Sequence, residues 1–319
     1  CSIIIGMDIT EFASEEAYAA QAATGALLNP RIDSTFKALF TQNTPESQAA
    51  LKAFLEAATE RKIAFCHPIP NDAPVEFAGQ RGVSYDIACE FDDGLSADIE
   101  MQAFNQQYDY GKRAEYQVAR LETTYLKKGD SWEKAPTVYQ ITVLDFNYTP
   151  KSSDKLEAAE STAVASTPVS RYAMRTKDGR ELANALNIIF IELPKAAGLE
   201  AQVDKNSPIE NWALFLKDAD NPQKQDVIKQ LTDKEAGLMQ AQKSLSNISA
   251  NRDLWLAQYR QEVKERDWRS GMVAAERMGI AKDRAETAHN AFAMGLTLAQ
   301  IAQLTGLTQD ELQKLRETR

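Results

Sequence analysis

Two histidines, three cysteines and no long apolar run leave few chemistries open to a chain of 319 residues. His67 and His289 stand far apart, so neither a Ser-His-Asp nor a Cys-His set has support. The Cys-x-x-Cys pairs of a zinc site and the Gly-x-x-x-x-Gly-Lys phosphate loop are both missing. Cys1, Cys66 and Cys89 are odd in number and widely scattered, which fits a reducing cytoplasm better than a disulfide framework. Nothing approaches the 18 or so apolar residues of a membrane helix, so no membrane partner is expected. Met7 reads as a natural start, with residues 1–6 upstream of it, and no signal sequence supports export.

Positive charge is also in short supply. The formal net charge is −10, and nucleic-acid binders usually present a basic surface. The deficit is uneven: residues 222–319 hold 15 Lys and Arg against 13 Asp and Glu, leaving 21 against 33 in residues 1–221. At 44% hydrophobic and 26% charged, the composition is that of a globular protein with one good core and an appended region.

What is present centres on Ser84 to Gln102. Two runs of alternating character flank Asp92-Asp93-Gly94, the strongest short-range signal for a β-hairpin. With a side-chain period of 2, Asp98, Glu100 and Gln102 share one face of the second strand and Ile99 and Met101 the other. On the first strand Asp86, Ala88 and Glu90 share a face. A register that brings Asp86 near Glu100 makes two carboxylates converge at the middle of a sheet. Such a pair raises a pKa or captures a cation. Mg2+, which takes one or two carboxylates and keeps several waters, suits them.

An Asp followed some dozen residues later by Glu-x-Gln resembles the PD-(D/E)XK nuclease superfamily, and within it the transposase-like, recombination-promoting branch. The stretch Asn29-Pro30-Arg31-Ile32-Asp33-Ser34-Thr35-Phe36-Lys37-Ala38-Leu39-Phe40 resembles that branch's opening Asp-x-x-Phe-Lys-x-x-Phe. Phe190 to Lys195 and Asn211 to Leu216 look like its downstream landmarks, so the resemblance runs from about Asn29 to about Lys217. It implies an α/β fold, with a restriction-endonuclease-like central mixed sheet flanked by helices. It also implies a metal-dependent endonuclease acting on DNA, with Mg2+ (or Mn2+ or Ca2+) held by Asp86 and Glu100. Gln102, standing where the superfamily usually has Lys, then helps place the attacking water; it can neither carry charge nor act as a base. The other reading is a non-catalytic DNA- or protein-binding module that keeps this fold as a platform.

Further residues have two readings each. Asp33 is either the cap of a helix carrying Phe36, Leu39 and Phe40 or a member of the active site. Lys37 is either a solvated charge or a substrate contact. Arg113 either contacts a phosphate through its forked donors or pairs with Asp109 four residues earlier. Glu192 and Lys195, at the end of a strand, read as structural.

In chain order, residues 7–28 read as a loosely attached helical arm. A Pro-started helix follows Thr44, and residues 62–81 read as loop with at most a short edge strand. A long helix spans Asn105 to Lys128, closed by Gly129. Thr137–Tyr148, Val169–Met174 and Leu186–Leu193 read as strands, and residues 150–166 as a flexible insertion. From Pro208 the pattern is helical, with pieces at Ile209–Leu216, Asp226–Asn247 and Leu254–Ala285. The expected organisation is an arm over residues 1–28, a nuclease-like domain over 29–207 and a helical C-terminal region over 208–319. That region offers a self-association surface. It ends in a helix-turn-helix-like segment, Gly295 to Leu312, whose Thr308 and Glu311 make a capping box; the segment either touches DNA or packs against a partner.

Overall fold

The alternation of strands with amphipathic helices resolves into a mixed sheet covered on both faces. The structure is a computed structural model that describes residues 15–71, 83–91, 94–104, 109–125, 128–149 and 167–317. The chain divides into two compact units, residues 1–259 and 260–319.

The first unit opens with α1 (Glu15–Ala19) and a short 3-10 turn. The described part of this arm is not loose: Tyr18 packs edge-on against Trp255 with ring centroids 5.7 Å apart, and Leu28 is fully buried. Next comes α2 (Asp33–Thr41), with Phe36, Leu39 and Phe40 buried at spacings of three and four. Its N-cap residue is Ile32 and no side chain caps it, so the carboxylate of Asp33 is free for other work. Thr44 caps α3 (Pro45–Thr59), accepting from the Ser47 N–H, and Glu60 ends the helix in the left-handed conformation.

The sheet strands are β1 (Cys66–Pro68), β2 (Ile87–Phe91) and β3 (Leu95–Gln102), followed by α4 (Tyr110–Tyr125), then β4 (Val138–Leu144), β5 (Val169–Ala173) and β6 (Leu186–Glu192). Their order across the sheet is β1-β2-β3-β4-β6-β5. β3, β4 and β6 run parallel, while β1, β2 and β5 pair antiparallel at the margins. Parallel neighbours need a crossover connection, and α4 lies in the one between β3 and β4. The turn residues Asp92 and Asp93, the N-terminal end expected for α4 and the insertion at 150–166 lie outside the described residues; the last described helical residue of α4 is Tyr125, and Lys128 and Gly129 lie in a turn, with Gly129 at φ 96°.

Period 2 sorts the strands into two faces. Odd-numbered residues such as Ile99, Met101, Ile141, Val143 and Ile191 join the main core with Phe36, Phe40, Phe54 and Trp212. Within it the rings of Phe40 and Phe54, and those of Phe54 and Trp212, have centroids 5.3 Å apart. Even-numbered residues face α4. There Val118 and Leu121 pack with Ala88 and Val138, and Tyr110 and Ala114 pack with Leu144 and Phe190. Between these two small clusters lies a buried polar strip of Asp98, Glu100, Gln117, Gln140 and Thr142.

After the sheet come α5 (Pro208–Asp218), α6 (Gln225–Lys234), α7 (Ala236–Ser249) and α8 (Arg252–Ala293). The single helix expected over Asp226–Asn247 is broken at Glu235, whose φ and ψ are −122° and 114°. Gly237, in the first turn of α7, packs so closely on Ala53 that a Cβ there would collide with the Ala53 Cβ. Asn211 donates to Glu235 Oε1 at 2.5 Å and holds the extended residue in place.

The second unit contains the later part of α8 with α9 (Leu298–Thr305) and α10 (Gln309–Glu317), joined through Gly306 at φ 67°. Ala288, Ala291, Ile301 and Leu312 form its small core. Capping boxes start both short helices, Thr297 with Gln300 and Thr308 with Glu311. No described helix is long and apolar enough to cross a membrane.

Candidate active site

The hairpin register places the two candidate ligands opposite each other. Ile87 pairs with Ile99, so Asp86, one residue outside β2, stands across from Glu100. The Met101 N–H donates to Asp86 Oδ2 at 3.3 Å, which ties the carboxylate to the neighbouring strand.

From the first helix pair, α2 supplies Asp33 and Lys37, one turn apart. Lys37 Nζ lies 3.1 Å from Asp33 Oδ2 and 3.1 Å from Asp86 Oδ1. Burial pushes the Asp33 carboxyl above its usual range and the Asp86 charge adds to it, while Lys37 opposes. For Lys37 burial works against the charge, but Asp86 and Asp33 outweigh it and hold the ammonium above its ordinary value.

On the other side, α4 grips Glu100 with three residues at spacings of three and four. Tyr110 donates its hydroxyl to Glu100 Oε2 at 2.9 Å, and Arg113 Nη2 reaches Oε2 at 3.2 Å and Oε1 at 3.4 Å. Gln117 Nε2 donates to Oε1. The Arg113 guanidinium also sits over the Tyr110 ring, 5.5 Å from its centroid. Glu100 is fully buried; burial raises its pKa, Arg113 opposes, and the Asp86 charge adds to the rise.

A family model described as PD-(D/E)XK nuclease family transposase matches residues 30–275. The chain belongs to this family. No curated protein and no solved structure matches it significantly. Membership supports a nuclease-like function, that of a hydrolase acting on DNA, and the mixed sheet with flanking helices agrees with the PD-(D/E)XK fold.

Against the family motif, the structure gathers Asp33, Lys37, Asp86, Glu100 and Arg113 into one connected set. Arg113 turns to Glu100 in β3, a partner that spacing along its own helix does not reveal. Gln102, at the end of β3, is half-buried; its carbonyl accepts from the Asp145 N–H at 3.0 Å, and its side chain makes no hydrogen bond among the described residues. Glu192 is bonded to Lys195 at 2.7 Å and to the Tyr148 N–H at 2.8 Å, a structural use. His67 is exposed in the edge strand β1.

Sequence reasoning gave no role to Tyr110, Gln117 or Asp98. The first two share a helix face with Arg113, and that spacing was the available signal. Asp98 is fully buried across from Gln140. Burial pushes its carboxyl far up, the Glu100 and Asp86 charges add to the rise, and Gln140 partly offsets them.

The donor chemistry suits a hard cation. Asp86 and Glu100 offer only oxygens, each is already compensated by a protein cation, and the Glu100 charge is costly where it stands. Among the described residues no three His, Cys, Asp or Glu side chains form a ready ligand group. Mg2+ needs only one or two carboxylates and fills its remaining positions with water, so the pair fits such an ion.

Proposed function

We propose that this chain is a metal-dependent endonuclease of the recombination-promoting type that hydrolyses phosphodiester bonds in DNA. The observation that carries the reading is the opposition of Asp86 and Glu100 across the β2–β3 hairpin, inside a family of nucleases. Asp86 and Glu100 would hold Mg2+, or Mn2+ or Ca2+ in its place. When bound, the ion supplies a Lewis acid for the scissile phosphate and a water of lowered pKa.

The other residues act around that pair. Gln102 orients the attacking water through its amide, the only role an uncharged side chain can fill there. Lys37 and Arg113 carry the positive charge at the site and turn from the carboxylates to phosphate oxygens when DNA arrives; Arg113 offers a planar fork for two oxygens. Asp33 keeps Lys37 oriented and charged from one turn away. Partners on this reading are DNA and, through the helical C-terminal region, a second copy of the chain.

The test is cleavage of supercoiled plasmid by purified protein with Mg2+, Mn2+, Ca2+ or chelator, beside Asp86→Ala and Glu100→Ala. Metal-dependent nicking that both variants lose while staying folded supports the reading. Equal cleavage by the variants, or none by any protein, leaves the hairpin without a catalytic role. The chain would then be a non-catalytic binding module on a nuclease platform.

A further inference from the structure

We propose that Arg31 is a substrate-positioning residue that takes a DNA backbone phosphate beside Gln102, next to the bond that is cut. The inference rests on the reading of the Asp86–Glu100 hairpin as the catalytic centre.

Arg31 is held in place before any ligand arrives. Asn29 Oδ1 accepts from the Arg31 backbone N–H at 2.9 Å and from its Nε at 3.1 Å. Pro30 stands between them with its φ fixed by the ring. The same loop is tied to the helices behind it. The Asn29 N–H donates to Gln258 Oε1 at 2.9 Å, the Thr35 hydroxyl donates to that oxygen at 3.1 Å, and the Leu28 N–H donates to Ser249 Oγ at 2.9 Å. Gln258 and Ser249 are buried, so the anchor is firm.

The anchored side chain reaches the C-terminal end of the parallel strands, where ligands bind in open α/β sheets. Arg31 Nη1 lies 3.5 Å from Asp145 Oδ2. Asp145 directly follows β4, and its N–H donates to the Gln102 carbonyl at 3.0 Å. Two residues after Arg31, Asp33 shares Lys37 with Asp86. Arg31 is thus linked both to the end of β3 and to the Lys37 cluster.

What sets Arg31 apart from the other two cations is how little it is committed. Lys37 bridges two carboxylates at 3.1 Å each, and Arg113 is bonded to both oxygens of the buried Glu100. Arg31 faces one carboxylate at a distance beyond that of a charge-assisted hydrogen bond. Of the five donors of a guanidinium, one is on Asn29 and one faces Asp145, so three have no partner among the described residues. The side chain is 32% exposed and that of Asp145 25%, so a phosphate can approach and Asp145 stays solvated when Arg31 leaves it. Arg31 can therefore offer its fork to a phosphate without stranding a buried charge.

The experiment measures the affinity of the full chain for a fluorescein-labelled DNA duplex by anisotropy across a salt series with Ca2+, beside single-turnover nicking with Mg2+. The proteins are wild type, Arg31→Gln, Arg31→Lys, Asp145→Asn, the double variant Arg31→Gln/Asp145→Asn, and Asp86→Ala. Arg31→Gln should weaken binding about tenfold, the scale of one hydrogen bond to a charged group, and flatten the salt dependence by about one phosphate contact. Asp145→Asn should tighten binding about threefold, the scale of a partly exposed ion pair, and the gain should vanish in the double variant. A purely structural tie between α2 and β4 gives no such gain. Arg31→Lys keeps the charge and loses the fork; it carries the test if Arg31→Gln fails to fold, and should lose affinity at an unchanged salt slope. Unchanged affinity in the Arg31 variants, no gain in Asp145→Asn, or a gain that persists in the double variant overturns the inference. DNA that wild type binds but does not nick, or that Asp86→Ala nicks equally, defeats the endonuclease reading, and the affinities then decide the phosphate contact on their own. Wild type that binds no DNA overturns both.

Discussion

Lys37, in α2, lies 3.1 Å from Asp86 at the head of the β2–β3 hairpin. The same ammonium lies 3.1 Å from Asp33, so one cation serves two carboxylates from different elements. Replacing it tests whether it is a structural counter-charge or a phosphate contact. Lys37→Met should cost at most about 1 kcal/mol of stability, because the group is partly solvated. DNA affinity should fall alike for every sequence, and the salt dependence of binding should flatten by about one phosphate contact. Fluorescence anisotropy across a salt series with Ca2+ in place of Mg2+ measures both; an unchanged slope removes Lys37 from the DNA interface.

Gln102 stands where the superfamily usually has Lys, and its side chain is uncommitted among the described residues. Gln102→Ala should lower turnover by about a hundredfold at nearly constant KM, since losing the orientation of a water costs on that order. Gln102→Lys should retain cleavage. Single-turnover nicking assays compare the three; an alanine variant with wild-type turnover assigns the water to another group.

Asp98 makes stability depend on pH. Unfolded, its carboxyl ionises near pH ~4; folded, burial and the Glu100 and Asp86 charges keep its proton on to much higher pH. The folded state therefore binds more protons, and stability falls as pH rises through that window. Asp98→Asn removes the titration, so in chelator its melting temperature should exceed wild type at pH 8 and match it near pH 4. The gain is about 1.4 kcal/mol for each pH unit between the two pKa values. Parallel melting curves would refute a protonated Asp98.

Two glycines should respond in opposite directions. Gly237 sits against Ala53 with no room for a methyl group, so Gly237→Ala should destabilise by about 1–3 kcal/mol. Gly279 lies in exposed α8 with nothing within 4 Å of a new Cβ, so Gly279→Ala should stabilise by about 0.5–1 kcal/mol. Chemical denaturation of the two variants checks the pair.

Much of this architecture could be read from residue patterns. The alternation around Asp-Asp-Gly announced the hairpin; its register, left open by the pattern, is the one that keeps Ile99 and Met101 in the core. The Phe36, Leu39 and Phe40 stripe marked α2, and Thr308 with Glu311 marked the start of α10. The misreadings came where packing overrides local preference. Asp226–Asn247 has no internal helix breaker strong enough to predict the stop at Glu235, whose side chain is held by Asn211 of α5 in the packed structure. Asp33 was open to either use, cap or site residue, and packing decided it: no side chain caps α2, and Lys37 pairs with the carboxylate.

The sequence by itself determined the strand and helix layers and the hairpin that carries Asp86 and Glu100, because side-chain period and turn chemistry are local properties, and its motifs carried the resemblance to the family. Only the tertiary structure decided what surrounds that pair. Lys37 reaches Asp86 across 49 positions in the chain, and Tyr110, Arg113 and Gln117 meet Glu100 because α4 packs over the even-numbered face of β3. The burial that makes these charges costly, and the hydrogen bonds that compensate them, belong to contacts between elements, which no local spacing encodes.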